Sequence, residues 1–166
     1  MKMIQKNIWS EYYLKLENQG FNIVNQDDSR PWGGFFVIDE FQAQKFARQY
    51  FPNTEPESLK GSGKLSPKIL IVKPEARLSW QYHHRRSEIW AVVQGPVGII
   101  RSNTDEVSTL KVYESGAIIE LAKMERHRIV GLKDWGVVAE FWQHTDPNHP
   151  SDEEDIVRVQ DDYARV

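Results

Sequence analysis

Near the start of the chain, apolar side chains recur at helical spacing. Ile4, Ile8, Tyr12 and Leu16 fall four residues apart, which puts them on one face of a helix over Met3 to Leu16, and Gly20 supplies a stop. From Asn25 to Gly34 the residues Asp27, Asp28, Pro31, Gly33 and Gly34 read as turn chemistry. They lead into Phe35-Phe36-Val37-Ile38, a predicted strand. A second short helix is predicted over Phe41 to Tyr50, ending before Pro52. The segment Asn53 to Lys68 holds Pro56, Gly61, Ser62, Gly63 and Pro67 and reads as an exposed loop.

Beyond Pro67 the pattern changes to short runs rich in β-formers: 69–72, 77–82, 88–94, 97–101, 107–113, 117–121, 128–131 and 137–142. Pro74, Gly95-Pro96, Asn103-Thr104-Asp105, Ser115-Gly116 and Asp134 separate them at intervals suited to antiparallel strands. The pattern predicts a mainly β fold, a barrel or sandwich of the jelly-roll kind. A helical extension over 1–29 precedes it, and the barrel occupies 30–166. The acidic, turn-rich tail from Asp146 to Asp162 ends in Ile156-Val157-Arg158, one more short strand or an interface segment.

Composition narrows the chemistry. The 166 residues fit one domain with a real core, and 40% hydrophobic residues with Trp 6, Tyr 6 and Phe 7 argue for folding and against disorder. A second catalytic domain has no room. The net charge of −3 offers no basic field for nucleic acid. With Cys 0, disulfides, thiolate metal sites and a cysteine nucleophile are excluded, so a transition metal would be held by His, carboxylate or amide groups. The N-terminus shows no signal-peptide pattern and no apolar run reaches membrane-spanning length, so a cytoplasmic location is expected.

The chemistry concentrates in Leu78-Ser79-Trp80-Gln81-Tyr82-His83-His84-Arg85-Arg86-Ser87-Glu88-Ile89-Trp90. Residues two apart on a strand share a face, so Gln81 and His83 point together into the barrel, and Glu88 opens the next strand after a turn at His84 to Ser87. His127, at the start of a later strand, completes a set of four ligands across the barrel. The neighbouring residues carry plainer readings: His84 as a turn residue, His144 and His149 as solvated, Arg85-Arg86 as a solvated turn or a phosphate clamp. The tryptophans Trp80, Trp90, Trp135 and Trp142 read as core or interface residues. Trp32, in its Pro-Gly setting, could line a cavity.

These motifs resemble the cupin superfamily. Gln81 stands in the place of the first histidine of its first motif, with His83, Glu88 and Gly95 at the expected spacing, and Gly116 to His127 resembles the second motif. More narrowly, Arg30-Pro31-Trp32-Gly33, Leu78 to His84, Glu88-Ile89-Trp90 and Asp155-Ile156-Val157-Arg158 through Asp161-Asp162-Tyr163-Ala164-Arg165 resemble the cupin domain of type II phosphomannose isomerases. The resemblance implies a jelly-roll barrel that interconverts mannose 6-phosphate and fructose 6-phosphate. It implies Gln81, His83, Glu88 and His127 as metal ligands and Arg158 as the arginine beside the sugar. That family's cupin domain often follows a nucleotidyltransferase domain, which this length does not accommodate. Glu75 replaces a motif glycine, Ala122 and Met124 replace a proline and a glycine, and Gly131 replaces an asparagine, all at turns.

Two imidazoles, a carboxylate and an amide leave a cation with net positive charge, suited to Lewis-acid stabilisation of an enediol. One divalent ion is expected, zinc first, with manganese, cobalt, nickel or iron as substitutes. Arg85, Arg86, Lys73 and Arg77 are candidates for the phosphate, and His84, Glu125 and Asp162 for the general base. Two other functions fit the same residues: a non-catalytic sugar-binding cupin, and an Fe(II) oxygenase. The expected partners are a small sugar phosphate and a second copy of the chain in a homodimer, with no nucleic acid and no membrane.

Overall fold

Helix α1 (Lys2–Asn18) buries Ile8, Tyr12 and Leu16 along one face, as their spacing requires. The amide of Phe21 donates to the Leu16 carbonyl and that of Gly20 to Glu17, the paired bonds of a Schellman turn, with Gly20 at φ +84°. The coordinates are those of a computed structural model and describe residues 2–55, 59 and 64–163, with the side chains of 2–7 and 153 excepted. Ile4, residues 56–58 and 60–63 of the predicted 53–68 loop, and the end of the C-terminal motif lie outside the described residues or side chains.

Strands β1 (Ile23–Arg30) and β2 (Gly33–Ile38) form a hairpin, and Asp39 caps a short 3-10 turn that enters α2 (Ala43–Tyr50). There follow β3 (Lys68–Val72), β4 (Trp80–Tyr82), β5 (Arg86–Gln94), β6 (Val97–Ser102), β7 (Lys111–Tyr113), β8 (Ile118–Leu121), β9 (Arg126–Val130), β10 (Gly136–His144) and β11 (Val157–Gln160). A six-stranded sheet runs β1-β2-β3-β10-β5-β8 and faces a five-stranded sheet, β11-β4-β9-β6-β7. Every pairing is antiparallel, the arrangement of a jelly roll.

The six-stranded sheet is covered on both faces, which explains its near-continuous apolar runs. One face carries Phe36, Ile69, Ala139 and Phe141 against α1 and α2, where Phe46 and Phe51 pack on Phe141 at centroid distances of 5.2 and 5.1 Å. The other carries Leu70, Val92 and Val138 into the barrel interior, against Ile99 and Ile129 of the second sheet. Burying each such aromatic or aliphatic side chain contributes roughly 1.5–3 kcal/mol. The N-terminal helix and the barrel therefore share one apolar layer. No helix among the described residues is long and apolar enough to cross a membrane.

Two expectations are corrected here. Residues 25–30, read as turn, form an edge strand in which Asn25, Gln26 and Asp27 pair with Val37, Phe36 and Phe35. An exposed, charged edge strand needs no apolar alternation, because backbone hydrogen bonds to β2 hold it and its charges discourage further pairing. The 77–82 run is a strand only over Trp80–Tyr82, with Arg77 joined to Val130 by an isolated bridge, and 107–113 narrows to Lys111–Tyr113.

The turn substitutions preserve the backbone that glycine serves elsewhere. Glu75 has φ +61° and Met124 φ +71°, both in the left-handed region where a side chain is strained. At Gly131 the reason for glycine is steric: a Cβ there would lie 1.9 Å from the Lys73 carbonyl oxygen. Glu75 is exposed, so Glu75→Gly should relieve strain at little other cost and raise stability by about 0.5–1 kcal/mol, read as a higher thermal midpoint. An unchanged or lower midpoint would show that the strain is not carried there.

Candidate metal centre

His83 follows β4, Glu88 lies on β5 and His127 on β9, so the two sheets bring their side chains together inside the barrel. Their ligand atoms all lie within 4.8 Å of one another, and each residue is 2% exposed. His83 Nε2 is 2.8 Å from Glu88 Oε2 and 3.1 Å from His127 Nε2, and His127 Nε2 is 3.3 Å from the same carboxylate oxygen.

Backbone carbonyls fix both imidazoles. His83 Nδ1 stands 3.0 Å from the Asp155 carbonyl oxygen and His127 Nδ1 3.0 Å from that of Glu125. A carbonyl can only accept, so both Nδ1 atoms carry the proton and both Nε2 atoms present lone pairs to Glu88 Oε2. Burial lowers the His83 pKa, with Glu88 opposing it, and the imidazole is neutral at neutral pH. Burial alone would raise the Glu88 carboxyl. The charges of Arg86 and His83 and a hydrogen bond with Glu140 outweigh it and hold Glu88 well below the usual range. Three acceptors thus converge in a dry interior, with the Arg86 guanidinium alongside: Nη2 is 3.2 Å from His83 Nε2 and Nε 3.4 Å from Glu88 Oε2. Two imidazoles and a carboxylate at these separations are a donor set that fits one divalent cation.

The C-terminal segment and the β8–β9 turn lock this arrangement. The Asp155 carboxylate accepts from the amides of His84 (3.0 Å) and Arg85 (2.9 Å) and from Ser151 Oγ (2.5 Å). The Met124 amide donates to the His83 carbonyl at 3.0 Å, which ties the strained turn at Met124 to that histidine. Such partners set the orientation of ligand side chains.

Gln81 stands directly opposite His127, and Arg158 directly opposite Gln81, so all three share one face of the five-stranded sheet. Gln81 Oε1 accepts from Ser79 Oγ at 2.5 Å. Beside the triad lies a cavity with Ser79, Gln81 and Arg158 on one wall and Lys68, Glu140 and Trp142 on the other. Trp32 and Phe35 also line it, which realises the reading of Trp32, and Arg30 and Arg86 add cations.

Several side chains take places that differ from their sequence reading. Arg86, expected in a solvated turn or on a phosphate, is 2% exposed, lies 3.6 Å over the Trp142 ring, and donates to Ser151 Oγ at 3.0 Å. Trp142, read as a core or interface residue, is buried and also lines the cavity. Arg77 pairs with Asp162 at 2.7 and 2.6 Å, and Arg85 with Asp152 at 3.2 Å. Glu125 holds Arg101 at 2.5 Å, and His84 is exposed beside Tyr82. None of the base candidates lines the cavity.

Glu140 is the residue sequence reasoning missed. It is the one carboxyl among the cavity's described lining residues; burial first, then the neighbouring Glu88 charge, holds it well above the ordinary range, so it carries a proton. Trp90 Nε1 donates to both carboxyls, at 3.2 Å to Glu88 and 3.1 Å to Glu140. A single acid inside the apolar run Val137-Val138-Ala139-Glu140-Phe141-Trp142 was the available signal.

A jelly-roll barrel with a His-Glu-His cluster in its interior defines the class: the protein is a cupin. Its sequence matches the family described as "Mannose-6-phosphate isomerase C-terminal" over residues 39–161, and the chain belongs to that family. It is 32% identical over 137 residues to the xanthan biosynthesis protein XanB of Xanthomonas campestris pv. campestris, covering 82% of this chain and 23% of that protein. It is 29% identical over 125 residues to the alginate biosynthesis protein AlgA of Pseudomonas aeruginosa, covering 75% and 24%. The mannose-1-phosphate guanylyltransferase of Salmonella montevideo is 28% identical over 157 residues, covering 92% and 26%. The chain spans about a quarter of the length of these relatives. The capsular polysaccharide assembling protein CapF of Staphylococcus aureus shares the fold, with a TM-score of 0.56 at 18% identity over 82% of this chain and 34% of that one.

His144 corrects a further expectation. Read as solvated, it is 2% exposed, accepts from the Ser151 amide at Nδ1 (2.9 Å), and has its pKa lowered to about 4 by burial and by the charges of Lys64 and Arg86. A folded pKa below the unfolded value of about 6.5 means the unfolded chain binds the extra proton, so this contribution is complete above pH 6.5 and is lost as pH falls toward 4. His144→Gln should remove up to about 3 kcal/mol of acid sensitivity in that window, measured by denaturant unfolding of both proteins from pH 7.5 to 4. Parallel stability curves would contradict the assignment.

Proposed function

We propose that this chain is a metal-dependent aldose-ketose isomerase of a phosphorylated sugar, interconverting mannose 6-phosphate and fructose 6-phosphate. The observation that carries the reading is the convergence of His83, Glu88 and His127 beside a cationic, aromatic-lined cavity, in a chain of the Mannose-6-phosphate isomerase C-terminal family. Those three residues, with the amide of Gln81 adjoining, would hold one divalent ion, zinc first. When bound, such an ion supplies Lewis-acid stabilisation of the negative charge that develops on substrate oxygens during enolisation.

The chain's own groups supply the remainder. Arg158, in line with Gln81 and His127, offers a permanent charge and several donors to a sugar oxygen. Glu140 faces the cavity with a buried carboxyl; with the Glu88 charge offset by a bound cation it would ionise, and the carboxylate so formed is assigned the proton transfer between C1 and C2, in place of the three base candidates that lie elsewhere. Trp32, Phe35 and Trp142 give the sugar apolar surfaces and exclude water.

Purified protein supplied with zinc, manganese or cobalt should convert mannose 6-phosphate to fructose 6-phosphate, and His127→Ala should lose at least about 100-fold in kcat/KM. Absence of turnover with each metal, or turnover that survives His127→Ala, rejects the reading. Glu140→Gln keeps the volume and a hydrogen-bond donor, so its kcat should fall by about 100-fold or more while its thermal midpoint stays near that of the parent. An unaltered kcat would take the proton transfer away from Glu140.

A further inference from the structure

Of the cations expected to hold a phosphate, Arg86 alone lines the cavity, and three of the four are engaged by neighbouring groups. Arg77 is engaged by Asp162, Arg85 by Asp152 and Asp155, and Arg86 by Glu88 and Ser151, while Lys73 is absent from the cavity lining. Two other cations line the cavity on the six-stranded wall. Arg30 is at the end of β1, and Lys68 opens β3. Both stand at the ring of Phe35, Arg30 Cζ 5.4 Å and Lys68 Nζ 5.5 Å from its centroid, and Lys68 Nζ also lies 3.7 Å over Trp142. Asp27 forms an ion pair with Arg30, its Oδ2 3.1 Å from Nε.

The topology sets these cations apart from the metal ligands. Lys68 pairs with Glu140 and Glu140 with Trp90, which puts Lys68 two strands from the strand of Glu88, about 10 Å across the sheet. Glu88 lies one further inward-facing position along that strand, opposite Trp142. A linear six-carbon sugar has its reacting carbonyl at one end and its phosphate at the other, and a separation of this order suits such a chain lying across Glu140 and the ring of Trp142. Cations outnumber carboxyls in the lining, with Arg30, Lys68, Arg86 and Arg158 against Glu140.

We propose that Arg30 and Lys68, flanking Phe35, form the subsite for the terminal phosphate of the sugar phosphate, across the cavity from Gln81, the strand neighbour of His127. This rests on the isomerase reading for the orientation of the ligand, but not for the binding itself. Arg30 provides a planar donor fork beside its Asp27 anchor, and Lys68 a point charge that Trp142 and Phe35 hold in the cavity wall.

The test is calorimetric titration of the full chain with mannose 6-phosphate, fructose 6-phosphate, mannose and inorganic phosphate, repeated on Lys68→Met, Lys68→Arg and Arg30→Gln. The parent should bind both sugar phosphates more tightly than mannose. Lys68→Met and Arg30→Gln should each weaken the sugar phosphates by about 10- to 100-fold while leaving the weak binding of mannose in place, and Lys68→Arg should recover most of the loss. Unchanged affinity in both variants overturns the subsite, as does an equal loss for mannose, which would mark a collapsed cavity. Sugar phosphates bound through Arg30 and Lys68 without turnover would uphold the subsite and reject the isomerase. Turnover with affinities indifferent to both residues would do the reverse.

Discussion

Three electron pairs pointed at one another in a dry interior are the constraint from which the rest of this structure follows. His83 Nε2, His127 Nε2 and Glu88 Oε2 lie 2.8–3.3 Å apart, and the carbonyls of Asp155 and Glu125 have already claimed both Nδ1 protons. Water cannot relieve the repulsion, because all three side chains are buried. A positive charge must, and the Arg86 guanidinium at their edge is a partial answer, while a divalent cation among them is a full one. The site is therefore costly to build, and the fold contributes stability to hold it.

That cost explains features that look unrelated. The six-stranded sheet is covered by helices on one face and by the opposing sheet on the other, so the strands carrying Glu88 and Glu140 cannot shift their register without exposing an apolar face. The C-terminal segment is more than an edge strand: the Asp155 carboxylate organises the turn after His83 while its carbonyl orients the ring of His83. The strained conformation of Met124 places an amide on the carbonyl of that same histidine. Glu140 completes the set, because its proton lets two carboxyls share one buried position without two charges.

The meeting of His83, Glu88 and His127 was legible because strand periodicity is short range: Glu88 follows His83 across one turn, and His127 opens a later strand. The helix at Ile8, Tyr12 and Leu16 was legible for the same reason, since its buried face repeats every turn. What escaped was whatever depends on a partner distant in sequence. Lys68 reads as the end of an exposed loop and Arg30 as part of a turn until β2 and β3 bring them to one aromatic ring. His144 reads as solvated until Ser66 and the segment at Ser151 close over it. β1 has no apolar alternation to reveal it, and only its pairing with β2 makes it a strand.

The central claim is that the convergent acceptors exist to hold a cation. X-ray absorption at the metal edge, on protein loaded with zinc or manganese and freed of excess ion, tests it most directly. The account predicts one ion per chain with an imidazole scattering signature and oxygen neighbours, abolished by His83→Ala. A chain that retains no ion, or an ion whose spectrum lacks imidazole and is indifferent to His83, would contradict it.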